Sequence, residues 1–144
     1  MVNSAKNDRI LILDFGSQVT QLIARRVRES GVYCEIYPYM KWREGIDIIQ
    51  PLGIILSGGP ASVIEDASPQ VAKEVLDYGV PILAICYGQQ TLCSQLGGKV
   101  ESSNKREFGR ANIEITEDSK FFDGFDRTNL SEPVWMSHGD KVSE

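Results

Sequence analysis

Histidine and cysteine are scarce in this 144-residue sequence, and the scarcity narrows what it can be. A single histidine, His138, excludes metal catalysis by a histidine cluster. Three cysteines, at 34, 86 and 93, are an odd number without Cys-x-x-Cys spacing, which argues against both a disulfide framework and a structural zinc site. Long apolar runs are missing: none nears the ~18 residues of a membrane span. The opening residues 1–9 are polar and lack the apolar core of a signal peptide. Lys and Arg never run beyond two in a row and the net charge is −5, so neither nucleic acid nor an anionic membrane is an expected partner. Phosphate-loop signatures are missing too, with no Gly-Lys-Ser/Thr and no Gly-x-Gly-x-x-Gly after the first strand. A cytoplasmic, reducing location is expected, where a free thiol survives.

What is present is ordinary in bulk, 42% hydrophobic and 24% charged residues, enough for one domain with a real core. Residues 1–8 are expected to be a disordered tail and 9–144 a single domain. Ile10-Leu11-Ile12-Leu13 reads as a strand buried on both faces of a parallel sheet. Ser17 is a plausible N-cap for a helix whose apolar face is Val19, Leu22, Ile23 and Val27, ending at Gly31. A second strand follows at residues 33–37, a weak helical turn at 46–50, and a third buried strand at 53–56. Ser68-Pro69 looks like an N-cap and first helical position, with Val71, Ala72, Val75 and Leu76 facing inward up to Gly79. Strands alternating with helices imply an α/β fold: an open, doubly wound, mainly parallel sheet flanked by helices.

The chemistry centres on Ile82-Leu83-Ala84-Ile85-Cys86-Tyr87-Gly88-Gln89-Gln90, a short apolar strand leading into a helix that Gly97-Gly98 stops. Cys86 therefore sits where a strand turns sharply into a helix, the geometry of a nucleophile elbow with sulfur for oxygen. A helix N-terminus offers free N–H groups and the positive end of the dipole, which favour thiolate over thiol. Ala84 and Gly88 are small, as close approach of strand and helix requires. A cysteine closing an apolar strand is also commonly a small core residue. Ser57-Gly58-Gly59-Pro60, after the third strand, exposes backbone N–H groups. The N–H groups of Gly59 and Tyr87 could together face a developing oxyanion. Asp14-Phe15-Gly16-Ser17-Gln18 reaches the same sheet edge, where open α/β sheets bind their ligands. Together these describe a thiol-dependent acyl transferase.

Those motifs resemble the class I (triad) glutamine amidotransferases, a flavodoxin-like α/β family. Ile12-Leu13-Asp14-Phe15-Gly16-Ser17-Gln18 and Val134-Trp135-Met136-Ser137-His138-Gly139-Asp140 resemble, within that family, the glutaminase domains of GMP synthetases. The resemblance covers the chain from Arg9 onward. It implies that Cys86 attacks the side-chain amide of glutamine, giving a γ-glutamyl thioester and ammonia. It places Gly59 and Tyr87 at the oxyanion hole, and Gly58 and Gln90 among the residues that bind the substrate glutamine. Ser137, Gly139 and Asp140 would then form the loop that receives the α-amino and α-carboxylate groups. It implies no cofactor or metal in this domain. A separate ATP-pyrophosphatase domain would use ATP and Mg to turn XMP into GMP with the ammonia, in an enzyme that is a homodimer.

The family's triad histidine and glutamate lie downstream of the Ser-His-Gly-Asp stretch, and His138 matches that stretch rather than the base. The domain is accordingly expected to lack its C-terminal part. A strand at residues 111–116, an aromatic helical turn at 121–125 and a strand at 134–136 complete the reading. Three alternatives stay open: a catalytically silent α/β module binding a ligand or partner at the same edge, a glutaminase subunit of another pathway, and a flavodoxin-like cofactor binder.

Overall fold

The computed structural model describes residues 8–125 and 131–144, and all but the side chains of residues 103–107 among them. The expected tail, apart from Asp8, lies outside the described residues. The chain divides into two compact units: one runs through Glu101 and takes in Asp140–Glu144, the other is Ser102–Gly139.

The first unit is an α/β sheet. Its strands are β1 (Arg9–Asp14), β2 (Tyr33–Pro38), β3 (Gly53–Leu56) and β4 (Ile82–Ala84). They are parallel, in the order β2-β1-β3-β4. Helices α1 (Thr20–Glu29), α2 (Trp42–Ile49), α3 (Lys73–Leu76) and α4 (Tyr87–Gln95) follow the four strands in turn. The pleat sends Leu11, Leu13, Ile54 and Leu56 to one face, where they pack with Ile49 of α2, Val75 of α3 and Tyr87 at the head of α4. Ile12 and Ile55 point the other way, onto Ala24 of α1 and Cys34. Continuous apolar runs are what such two-sided burial demands, and each buried Leu or Ile contributes about 2 kcal/mol. The doubly wound α/β reading thus holds.

Several local expectations do not. Ser17 is not the cap of α1: its hydroxyl accepts the Val19 N–H, the helix opens at Thr20, and Val19 and Leu22 stay about half exposed at 46% and 50%. The buried stripe runs instead through Thr20 and Ala24, because the Thr20 hydroxyl has a partner in Asp14 Oδ1 at 2.9 Å. The helical turn at 46–50 is the tail of a helix that begins at Trp42. No helix starts at Ser68-Pro69; α3 is a single turn, and Ala72 before it is extended. Side chains of α4 hold that backbone open. Gln95 bonds both the N–H and the C=O of Val71 at 2.8 Å, while Thr91 and Tyr87 hydroxyls donate to the Pro69 carbonyl. β4 is less buried than its composition suggests, Leu83 being 40% exposed on the last strand of the sheet.

Cys34 shows what burial does to a thiol. Its Sγ–H donates to the Ala24 carbonyl at 3.4 Å, and desolvation pushes its pKa up, with the Arg28 guanidinium pulling weakly the other way. A thiol pKa raised by folding contributes stability that is complete below its unfolded value and lost as pH climbs through the folded one. Urea midpoints should therefore fall more steeply from neutrality to about pH 10 in the natural chain than in Cys34→Ala. Parallel pH profiles would contradict this.

The second unit holds most of a two-stranded sheet of β5 (Val100–Glu114) and β6 (Ser131–Val142). Within it Phe122 makes edge-on contacts with Phe121 and Phe125, around a 3-10 turn at Lys120–Phe122 that Ser119 caps. The aromatic turn was legible in the sequence. The extents were not: β5 starts eleven residues before Ala111, and Ser137-His138-Gly139-Asp140 continues β6 instead of forming a loop.

Candidate active site

The loops after β1, β3 and β4 meet at the carboxyl edge of the sheet. Cys86 joins β4 to α4 at φ +51° and ψ −117°, a conformation that non-glycine residues hold only when their surroundings enforce it. The enforcement is visible on both sides: the Ile85 N–H bonds the Leu56 carbonyl at 2.9 Å, and the Cys86 carbonyl accepts the Gln90 N–H at 3.1 Å. The side chain is exposed, unlike the buried Cys34, which sets aside the reading of Cys86 as a core residue.

Gly88 makes this turn possible. A Cβ there would lie 2.6 Å from the Leu56 carbonyl oxygen and 2.8 Å from that of Ser57, so α4 seats its first turn directly on the end of β3. Gly58 lies against the nucleophile: a Cβ on it would stand 3.2 Å from Cys86 Cβ and 3.6 Å from Ser17 Oγ. A Cβ on Gly59 would run into the Phe15 carbonyl. Among the described residues, the N–H groups of Gly59 and Tyr87 make no hydrogen bond. The Tyr87 side chain is spent on packing, its ring tilted against Phe15, which stacks on Tyr39 at 4.9 Å.

A polar knot fixes the first two loops to each other. Asp14 Oδ1 accepts from the N–H groups of Gly16 and Ser17 at 2.8 and 3.2 Å and from the Thr20 hydroxyl. Buried Ser57 stands 3.0 Å from Thr20 Oγ1 and accepts the Phe15 N–H at 3.3 Å. An aspartate two residues before Gly-Ser is a sequence signal for the turn, but its tie to Ser57, 43 residues on, is not.

Of the residues singled out from sequence, Cys86, Gly58, Gly59, Tyr87, Gln90 and Asp140 fall in the first unit. Gln90 is buried, and its Nε2 donates to the Asp140 carbonyl at 3.0 Å. The Asp140 carboxylate takes the Ser62 hydroxyl at 2.5 Å, a contact that sequence reasoning missed. Ser137, His138 and Gly139 belong to the second unit. No group of three or more His, Cys, Asp or Glu among the described residues could hold a metal ion. An open cavity of about 590 Å³ lies along residues 63–70 and Tyr39, and none of the residues singled out lines it.

A thiol on a strained strand-to-helix turn beside unspent N–H groups is suited to attack a carbonyl and hold the oxyanion. Comparison with known proteins agrees. The family model "Glutamine amidotransferase class-I" matches residues 11–144. The chain belongs to the class I glutamine amidotransferases.

Amidotransferase relatives refine the placement. The chain is 58% identical over 144 residues to a glutamine-hydrolysing GMP synthase of Agrobacterium fabrum, covering all of this chain and 27% of that protein. It is also 58% identical over 143 residues to one of Phenylobacterium zucineum, covering 99% and 28%. It thus spans little more than a quarter of these relatives' length, at their N-terminal portion. Among solved structures, a Thermoplasma acidophilum protein assigned to GMP synthase as one of its subunits superposes with TM-score 0.78 at 29% identity, over 94% of this chain and 67% of that one. A Thermotoga maritima glutamine amidotransferase shares the fold, with TM-score 0.71 at 24% identity over 95% and 63%. No helix among the described residues is long and apolar enough to cross a membrane.

Proposed function

We propose that this amidotransferase chain carries the glutamine-binding and nucleophilic half of a glutaminase, with Cys86 as the nucleophile. The exposed thiol, held at positive φ beside Gly58, carries the reading. The thiolate adds to the side-chain amide carbon, and the N–H groups of Gly59 and Tyr87 take the oxyanion. The C–N bond breaks as nitrogen takes up the proton that the thiol had given up, and leaves as ammonia. Water then cleaves the γ-glutamyl thioester to glutamate and restores the thiol. Asp140 pairs with the α-ammonium group. Gln90 acts by holding the Asp140 peptide. His138 is not assigned the role of base.

Identity to GMP synthases supports the downstream fate: ammonia passes to an ATP-pyrophosphatase domain, which with ATP and Mg converts XMP to GMP in a cytoplasmic, homodimeric enzyme. The glutaminase domain itself uses no cofactor.

Exposure to an electrophilic glutamine analogue, followed by peptide mass mapping of all three cysteines, tests the assignment. Selective labelling of Cys86 that free glutamine blocks is the expected result. Equal labelling of Cys86 and Cys93, or indifference to glutamine, would overturn it.

A further inference from the structure

The hydroxyl of Ser62 lies three residues beyond the oxyanion donor Gly59 and 78 residues from its partner, Asp140. Its Oγ donates to Asp140 Oδ2 at 2.5 Å, the length of a charge-assisted O–H···O⁻ bond, and accepts the Ile64 N–H at 3.3 Å. The Ser62 carbonyl in turn accepts the Glu65 N–H at 3.2 Å, so a local turn sets the hydroxyl's direction. At the other end of the same residue, Gln90 Nε2 grips the Asp140 carbonyl at 3.0 Å, and Gln90 is one helical turn beyond Cys86. Asp140 is thereby fixed twice. Its peptide is tied to the helix that carries the nucleophile, and its carboxylate to the loop that carries Gly59. Among the described residues, Oδ1 makes no hydrogen bond or ion pair.

From this we infer that Ser62 is a specificity-determining positioning residue: it orients the Asp140 carboxylate so that Oδ1 receives the α-ammonium group of an amino-acid substrate. The inference rests on the proposed glutaminase reading of Asp140. One hydroxyl proton occupies Oδ2 and fixes the torsion of the carboxylate, while Oδ1 keeps its lone pairs for a cationic donor. Without that hydroxyl, the carboxylate rotates freely and the ammonium must order it on binding. The penalty then falls on recognition of the amino group and not on the attack at the distant amide.

Two electrophilic reagents test it, a glutamine analogue with its α-amino group and the same compound without it, each followed by the rate of Cys86 labelling against reagent concentration. Ser62→Ala should weaken half-saturation by the amino-bearing reagent about tenfold, the worth of one charge-assisted hydrogen bond. The maximal labelling rate should be unchanged, and so should both parameters for the des-amino reagent. Ser62→Thr, which keeps the hydroxyl, should restore natural behaviour. Equal slowing with both reagents would make Ser62 merely a structural part of its loop and overturn the inference, as would no change with either. Asp140→Asn separates the two layers. If it alters discrimination while Ser62→Ala does not, only the role of Ser62 falls. If it leaves discrimination intact, or if neither reagent labels natural Cys86, the reading of Asp140 falls and the inference with it.

Discussion

Alanine and glycine at position 86 are expected to abolish labelling by a glutamine analogue alike, yet to differ in stability, with glycine the more stable. Loss of the sulfur removes the bond-forming atom, so capture at this position should drop more than about a thousandfold in both variants. Stability divides them because of the backbone. Alanine keeps the Cβ and so keeps the strain of φ +51° and ψ −117°, which costs about 1–3 kcal/mol. Glycine escapes that strain and gives back about 0.5–1 kcal/mol through the greater freedom of its unfolded chain. A net gain of about 1 kcal/mol over alanine should raise the unfolding midpoint by about 3 °C. Coincident midpoints for Cys86→Ala and Cys86→Gly would mean that the nucleophile's backbone is relaxed, and that its sharp turn costs the fold nothing.

Gly88→Ala should be a severely damaging single methyl at the nucleophile's turn. The added Cβ would lie 2.6 Å from the Leu56 carbonyl oxygen, 2.8 Å from Leu56 Cβ and 2.8 Å from the Ser57 carbonyl oxygen. None of these can swing away cheaply, since the Leu56 carbonyl already accepts the Ile85 N–H and its side chain is fully buried. Relief must come from lifting the first turn of α4 off the end of β3, and that turn begins with Cys86. Overpacking of this kind costs about 3 kcal/mol, or about 10 °C in midpoint for a chain of this size. Capture at Cys86 should fall along with stability, because the cysteine moves away from Gly58. Gln89→Ala, exposed on the same turn, should stay within about 0.5 kcal/mol of the natural chain. Similar midpoints for the two variants would refute the close-approach argument.

What the sequence disclosed and what it hid follow one physical line. Strands buried on both faces must be apolar throughout, so β1 and β3 are plain in Ile10-Leu11-Ile12-Leu13 and Gly53-Ile54-Ile55-Leu56. The elbow was legible because small residues at 84 and 88 bracket Cys86, and only close packing needs them. Misreadings arose wherever a polar side chain far along the chain decides the local backbone. Ser68-Pro69 carries a respectable helix signal, but Tyr87, Thr91 and Gln95 claim the backbone groups of Pro69 and Val71. Thr20 looks like an exposed polar position until Asp14 and Ser57 are beside it. Ser62 gave no signal at all, its partner being 78 residues away.

The knot of Asp14, Thr20 and Ser57 bears on how such a sequence can change over time. Each of the three satisfies the others, and no two of them are neighbours in the chain. A lineage that loses Asp14 leaves the N–H groups of Gly16 and Ser17 and the buried Thr20 hydroxyl without the carboxylate they share. Neutral drift through these positions is therefore obstructed one step at a time. The three are expected to be inherited as a block, replaced together or not at all, while the half-exposed apolar positions of the helix between them, such as Leu22, vary freely.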